Sequence, residues 1–564
     1  MEQGFDTDTI RWRDGVVGHD PEAFPELETV ERDGYSVRAY ADRPTGEDGP
    51  AGVDGLLARA VEREPDREAV VFPESGERWT YATLDERVDR VAAGLASAGV
   101  GAGDLVTLVC SNGPAFVEAF FAAVRVGAVA APVNTRVSPR ELDFLLTTAD
   151  PACLVGDGDL ADTVREAGVP DGTPVFVTDG EETGEERPYA DLPAAGDPPR
   201  PTTDETDPTA VLYTSGTTGH PKGCVIDGFH LANGAHNYRT SFATGDGLRS
   251  MVTVPLFHVA GLVANLLHTI VSRGTTVILD GASPETFLGT IETERVEFVL
   301  DVPTNYTLAM ARGDPSAYDL DSWAVAAYGG APMPAESVRR LRESFPDVAL
   351  CDAYGTTETV GGLVTMCPDE YTDERASTIG LPTPPMELAV VDDDRIPLGP
   401  GETGELAIRG PIVVESYLDR PEATAESFED GWYYTGDLAT IDGDGFVELR
   451  GRGRDKIVRG GENVYALDVE EVLVAHAGVL EASVTSFPDE VLGERVLGAV
   501  VPREGVRLTE DDLREHCAGR LADYKIPEVF RILDELPKNP GGKVVKSDLL
   551  PEPLRHGIRA GGGE

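Results

Sequence analysis

The chain has 564 residues, of which 100 are Asp or Glu and 47 are Lys or Arg, giving a formal net charge of −53. A surface this acidic repels nucleic acid and anionic membranes, so neither is expected as a partner. The hydrophobic fraction is 41%, which supports large cores and excludes an acidic disordered chain. The acidic excess suits high salt, where screening lengths shrink to about 3 Å at molar strength, and a halophilic host is expected.

The length predicts more than one domain. Residues 1–52 are acidic and rich in Gly and Pro, and they read as an N-terminal extension. No basic-then-apolar leader opens the chain, and the most apolar stretch, Phe116 to Val133, is interrupted by Glu118 and Arg125. Neither a targeting signal nor an integral membrane segment is expected. The cysteines Cys110, Cys153, Cys224, Cys351, Cys367 and Cys517 show no metal spacing and no CxxC pair. They read as buried thiols of a reducing cytoplasm.

From Val53 onward, helical spacing in VDGLLARAVEREP and in Leu84 to Ala98 alternates with strand-like AVVF, LVTLV and AAPVN. This alternation predicts layered α/β architecture with a largely parallel sheet. Gly156 to Pro208 reads as an acidic, loop-rich surface segment. The alternation returns in VLYT, VTVP, TVIL and FVL. After about residue 380, ELAVVD, GELAIRG, WYYTGD and FVELRGR predict a small β-rich subdomain that completes a unit spanning 53–450. Glycines and charges crowd RGRGRDKIVRGG, predicting a joint at 451–460. A compact, mobile α+β domain follows at 461–550, and a tail at 551–564.

The segment YTSGTTGHPKG, Tyr213 to Gly223, has the makings of a phosphate grip. Gly216 and Gly219 free backbone N–H groups to turn inward, Thr214, Ser215, Thr217 and Thr218 bring hydroxyls, and Lys222 brings full charge. A nucleoside triphosphate is the expected guest. The loop is not a Walker A motif, because Gly223 and not Ser or Thr follows Lys222, so no helix start is expected there. Lysine is otherwise nearly absent: apart from Lys222 only Lys456, Lys525, Lys538, Lys543 and Lys546 occur. A chain that uses Arg elsewhere can retain Lys where a compact, mobile charge is required.

In order, YTSGTTGHPKG, PLFHVAG, YGGAPMP, YGTTE, YYTGD, GRGRDKI and PGGKVVK resemble the adenylate-forming superfamily of acyl- and aryl-CoA synthetases, adenylation domains and luciferases. The resemblance runs from Val53 to Leu550. One such motif is weak evidence, whereas seven in order are not coincidence. It implies that a substrate carboxylate attacks the α-phosphorus of ATP, followed by transfer of the acyl group to coenzyme A. No protein nucleophile is needed, because the protein's task is to align two anions and offset their repulsion.

The resemblance also assigns residues. Lys222 and the loop would hold the β- and γ-phosphates, and Glu358 with Thr214 would carry Mg²⁺, a hard cation that prefers oxygen ligands. Tyr354 would stack on adenine beside Gly329, Gly330 and Ala331, with Gly355 and Thr356 in the same loop and Thr357 on the α-phosphate. Asp437 would take the ribose hydroxyls, supported by Arg452. Lys543 is the mobile catalytic lysine. His258 gates the carboxylate pocket, with a structural histidine nearly as good a reading. Two positions depart from the family pattern: Ala353 replaces the usual Gly, and Arg454 stands where relatives carry a hinge Asp or Lys.

Pocket walls are expected from Phe257 to Leu262, Val302 to Thr307, Tyr328 to Pro332 and Thr359 to Gly362. Asp301 at their edge is the only charge among them. An apolar acid is favoured over an amino acid, whose ammonium would need a buried partner. YGGAPMP and GENVY look most like fatty acyl-CoA ligases, so a medium- or long-chain fatty acid leads. An aryl acid, or loading of a carrier protein, is the alternative. The oligomeric state is not legible, a homodimer being one option.

Overall fold

The computed structural model describes residues 7–32, 34–46, 51–178, 186–214, 221–331, 333–367, 375, 377–452, 456–459, 462–489, 492–518, 520–539 and 543–551. The large unit is built on two mainly parallel sheets with helices packed on them. One sheet runs Arg187–Pro188, Val175–Val177, Cys153–Gly156, Leu105–Val109, Val129–Pro132, Pro208–Thr214 and Lys222–Asp227. Only its last pair is antiparallel. The other is nine-stranded, with a parallel centre that includes Phe298–Asp301, Val325–Gly329 and Ala349–Tyr354. Both faces of such sheets are covered, which is why their strands read as apolar runs and not as alternations.

Helix Pro114–Arg125 lies at the centre of the main core, and it explains the charges that interrupt the apolar stretch. Glu118 accepts from the Tyr189 hydroxyl at 2.7 Å and from Arg87. Arg125, whose side chain is wholly buried, meets Asp54 at 3.0 Å, Asp85 at 2.7 Å and Asp89 at 2.8 Å. A buried guanidinium survives only with such partners. No helix among the described residues is long and apolar enough to cross a membrane.

The β-rich subdomain is antiparallel and carries Glu387–Val391, Thr403–Arg409, Trp432–Ile441 and Val447–Arg452. Its sheet also contains the start of the chain. Ile10–Arg13 and Val16–His19 form a hairpin that pairs with Glu387–Val391. A second hairpin, Leu27–Arg32 with Tyr35–Tyr40, lies against helix Gly228–Ser241, where Asn233 accepts from the Tyr40 backbone N–H at 2.9 Å. The segment read from sequence as an extension is thus woven into the large unit. Gly156 to Pro208 also differs from a plain loop, because it contributes helix Ala161–Ala167 and two edge strands of the first sheet. Strands of two or three residues are too short to leave a periodic signal.

The small unit runs helix Ala466–Val474, strands Val479–Asp489 and Gly493–Pro502, helix Glu510–Cys517 and strand Val529–Ile532, around its own core. All six cysteines are buried thiols.

Candidate active site

Lys222 opens strand Lys222–Asp227 and pairs across the hairpin with Thr214. A strand, not a helix, follows the lysine, as the absent Ser or Thr predicted. Ser215, Gly216, Thr217, Thr218 and Gly219 lie outside the described residues. The Lys222 ammonium sits 4.7 Å from the centre of the Tyr417 ring. The Tyr417 hydroxyl in turn donates to Glu358 Oε1 at 2.8 Å. Tyr417 therefore joins the two charged groups that sequence assigned to phosphate and metal. Its phenol is held far above the ordinary range, first by burial and then by the neighbouring Glu358.

Glu358 is presented by the short turn Thr357–Thr359, where the Thr356 N–H donates to Thr359 Oγ1 at 2.9 Å. The Glu358 carbonyl also accepts from Val414 at 2.9 Å, tying this turn to the segment that leads to Tyr417. Strand Pro208–Thr214, which ends at Thr214, packs beside the same turn. Mg²⁺ commonly takes one or two protein oxygens and completes its shell with phosphate and water. With one Glu358 oxygen held by Tyr417, the other and the Thr214 hydroxyl form a donor set of that kind. Among the described residues no group of three or more His, Cys, Asp or Glu could hold a metal by itself.

The nucleoside half is built from two strands. The Tyr354 hydroxyl donates to Asp437 Oδ2 at 2.8 Å. Asp437 follows Gly436, whose φ of +73° kinks strand Trp432–Ile441 and whose N–H donates to Glu405 at 2.7 Å. Arg452 is the backbone partner of Asp437 across the sheet. Gly329 ends its strand opposite Ala353, where an added Cβ would lie 2.3 Å from the Ala353 carbonyl oxygen. Gly330 follows at φ +75° and turns the chain into Ala331. Gly355 leads into the Glu358 turn. Tyr433, buried on the Asp437 strand, lies within electrostatic reach of Glu358, Tyr417, Tyr354 and Asp437. It lies beneath both halves.

At the other end of the cleft His258 precedes the π-helical turns Ala260–Leu267. Its ring contacts Phe257, with centroids 4.7 Å apart, and its buried Nε2 has no hydrogen-bond partner. Burial, with a further contribution from the Lys543 ammonium, lowers its pKa to about 4. The Lys543 ammonium of the small unit is therefore within electrostatic range of His258 in the large one. The Lys543 backbone is tied to Asn539: Lys543 N–H donates to Asn539 Oδ1 at 2.9 Å, and Asn539 N–H to the Lys543 carbonyl at 2.8 Å.

The pocket walls meet behind His258. Gly361, at φ +55°, leaves no room for a Cβ, which would fall 2.3 Å from that of Val259. The Gly361 carbonyl accepts from the buried Tyr238 hydroxyl at 2.6 Å. Asp301 lies fully buried at the pocket edge, accepting from Asn305 at 2.8 Å, from the Val302 N–H at 2.7 Å and from the Thr253 hydroxyl. Burial outweighs these donors and raises it to about 6.

Sequence reasoning missed Tyr417, Tyr433 and Asn112. Asn112 donates to the Val254 and Leu279 carbonyls at 2.9 Å each and accepts from Leu256 N–H at 2.7 Å, fixing the approach to His258. Tyr417 and Asn112 lie outside the seven motifs. For Tyr433 the YYTGD string held a signal, since the tyrosine that precedes Asp437 by four residues points inward.

Residues 57–418 match the AMP-binding enzyme family, and residues 468–543 match the AMP-binding enzyme C-terminal domain. The chain belongs to the AMP-binding enzyme family. It is 35% identical to a feruloyl-CoA synthase of Amycolatopsis sp over 85% of this chain and 95% of that protein. It is 33% identical to the long-chain-fatty-acid–CoA ligase FadD13 of Mycobacterium tuberculosis, over 88% and 97% of the two chains. Among solved structures, the o-succinylbenzoate CoA synthetase MenE of Bacillus subtilis, in complex with its acyl-adenylate intermediate OSB-AMP, superposes with a TM-score of 0.77. It shares 28% identity and covers 88% of this chain and 98% of its own. The mixed α/β fold, with its large first unit and smaller second one, is that of the adenylate-forming enzymes.

Proposed function

We propose that the protein is an AMP-forming acid–thiol ligase that converts an apolar, preferably aromatic, carboxylic acid into its coenzyme A thioester. The observation that carries this is the Tyr417 link between Lys222 and Glu358, with the Lys543 ammonium within electrostatic range of His258. In the first step a carboxylate oxygen attacks the α-phosphorus of ATP, the bond from that phosphorus to the bridging oxygen breaks, and pyrophosphate leaves. Lys543 holds both anions together, while Lys222 takes charge from the departing phosphates. Glu358 and Thr214 would hold Mg²⁺, which would supply further neutralisation of that charge. Tyr354 and Asp437 fix base and ribose. In the second step the coenzyme A thiol loses its proton and attacks the acyl carbonyl, and AMP departs. We assign the joint at 451–460 the task of turning the 461–550 domain between the steps; Arg454 lies outside the described residues.

The meeting of Val259 and Gly361, sealed by Tyr238, supports a compact acid over an extended chain. A 35% identical feruloyl-CoA synthase and a structural relative named for o-succinylbenzoate support the same preference. A fatty acid is the second reading, supported by FadD13 at 33%. The protein is further proposed to work in a salt-rich cytoplasm. The test is a panel of benzoates, cinnamates and C6 to C16 fatty acids in molar KCl with ATP, Mg²⁺ and coenzyme A, following AMP and pyrophosphate. Release of ADP overturns the reaction class. A higher kcat/KM for C12 to C16 acids than for every aromatic acid overturns the acid preference.

A further inference from the structure

The phosphate side of the cleft is held by a pairing that lies outside the recognised motifs. Strand Lys222–Asp227 runs antiparallel to the segment 414–418. Cys224 pairs with Tyr417, Val225 N–H donates to the Ser416 carbonyl at 3.1 Å, and Leu418 N–H donates to the Gly223 carbonyl at 2.7 Å. This register sets Lys222 over the Tyr417 ring, and through Tyr417 it sets Glu358. At the far end of the same pairing stand two carboxylates, Asp227 on the strand and Glu415 on the segment. Between them lies Arg32 of the N-terminal hairpin, a segment that precedes the family match beginning at residue 57.

Arg32 is built to clamp this end. Its Nη2 donates to Asp227 Oδ2 at 2.7 Å and to Glu415 Oε1 at 2.9 Å, and its Nε donates to the same Glu415 oxygen at 3.1 Å. The Tyr35 hydroxyl adds a bond to that oxygen at 3.1 Å. The guanidinium lies 4.5 Å from the centre of the Phe229 ring and is buried to 9% exposure. Charge-assisted bonds in so dry a setting fix geometry more strongly than surface pairs do. We propose that Arg32 is a positioning residue for adenylate formation, locking the two strands that aim Lys222 and the Tyr417–Glu358 pair at the departing pyrophosphate. The N-terminal hairpins are then part of the catalytic apparatus of the first step.

This rests on the proposed function, and the two can fail separately. Adenylate formation is measured by ATP–pyrophosphate exchange with ferulate and, in parallel, dodecanoate. Thioester formation is measured from premade acyl-adenylate with coenzyme A. Arg32→Ala and Glu415→Gln should lower kcat for adenylate formation about 10- to 100-fold, as small misplacements of reacting groups do. The KM for the acid and the thioester rate should hold. Arg32→Lys, which keeps the charge but not the fork, should recover part of the loss. Arg43 separates aim from mere stability. It anchors the same hairpins through Glu28 and Glu205 but does not touch Glu415. Arg43→Ala should therefore keep the wild-type adenylation kcat even where its melting temperature falls. Wild-type adenylation in folded Arg32→Ala or Glu415→Gln, or equal losses in both steps, overturns the inference. Absence of exchange in the unaltered protein with either acid overturns the proposed function and takes the inference with it.

Discussion

The ammonium of Lys543, in the small unit, lies close enough to His258 of the large unit for its charge to add to the burial that holds the imidazole near 4. Two cations there would repel, so the histidine stays neutral and leaves Lys543 as the charge that faces an arriving carboxylate. Lys543→Ala should cut adenylate formation by about 10² to 10³, the scale of a lost electrostatic donor. Thioester formation from premade acyl-adenylate should continue. Single-turnover assays of each step decide it, and parallel losses in both would remove Lys543 from its assigned role.

Glu358 and Tyr417 should differ in degree. Glu358→Gln removes the ionised oxygen offered to Mg²⁺ and should lower adenylation by about 10²-fold, with a raised Mg²⁺ requirement. Tyr417→Phe leaves that carboxylate but loses one hydrogen bond, typically about 1 kcal/mol, and should cost about 5- to 10-fold. A titration of rate against Mg²⁺ for the two variants separates them.

Four buried histidines set the acid limit of stability. Burial lowers His19, His236 and His258 to about 4 and His268 to about 3, from an ordinary 6.5. Between these values the unfolded chain binds protons that the folded one does not. Stability is therefore complete above about 6.5 and is lost as pH falls towards 4, at about 1.4 kcal/mol per pH unit for each group. Asp301 and Asp352, raised by burial to about 6 and about 8, act oppositely, losing stability as pH rises from about 4. The histidines outnumber them in the acid window. Chemical denaturation at pH 4.5 to 7 should show the fall, and His268→Gln should flatten it.

The closed back of the pocket can be opened. Val259→Ala should raise kcat/KM for C8 to C12 acids relative to benzoate, since one or two methylenes in an apolar pocket are worth about 1 to 3 kcal/mol. Gly361→Ala should do the reverse and cost stability, because it adds a methyl where Val259 already stands and at a positive φ. Comparing the same acid panel across both variants tests the pair; unchanged ratios would place the acid elsewhere.

The fold was legible wherever apolar runs were long. The parallel strands and the helices at Val53 and Leu84 fall where the pattern put them, because buried strands and amphipathic helices write their period into the chain. The two-residue edge strands and the hairpins of residues 10–40 were not, since they are held by distant partners such as Pro382, which accepts from His19 at 2.7 Å. In the site, the motif strings led to Lys222, Glu358, Tyr354 and Asp437; the structure joins Lys222 to Glu358 through Tyr417 and Tyr354 to Asp437. The residues that join them could not be read, because Tyr417 lies 59 positions from the Glu358 it binds. Only folding makes them neighbours.

Arg125, its side chain wholly buried, is already neutralised by three aspartates of the chain itself. The many exposed carboxylates need a crowd of cations around them, whereas that inner lock needs none. Lowering the salt concentration should therefore loosen the rim first, with the helices around Arg125 the last to let go.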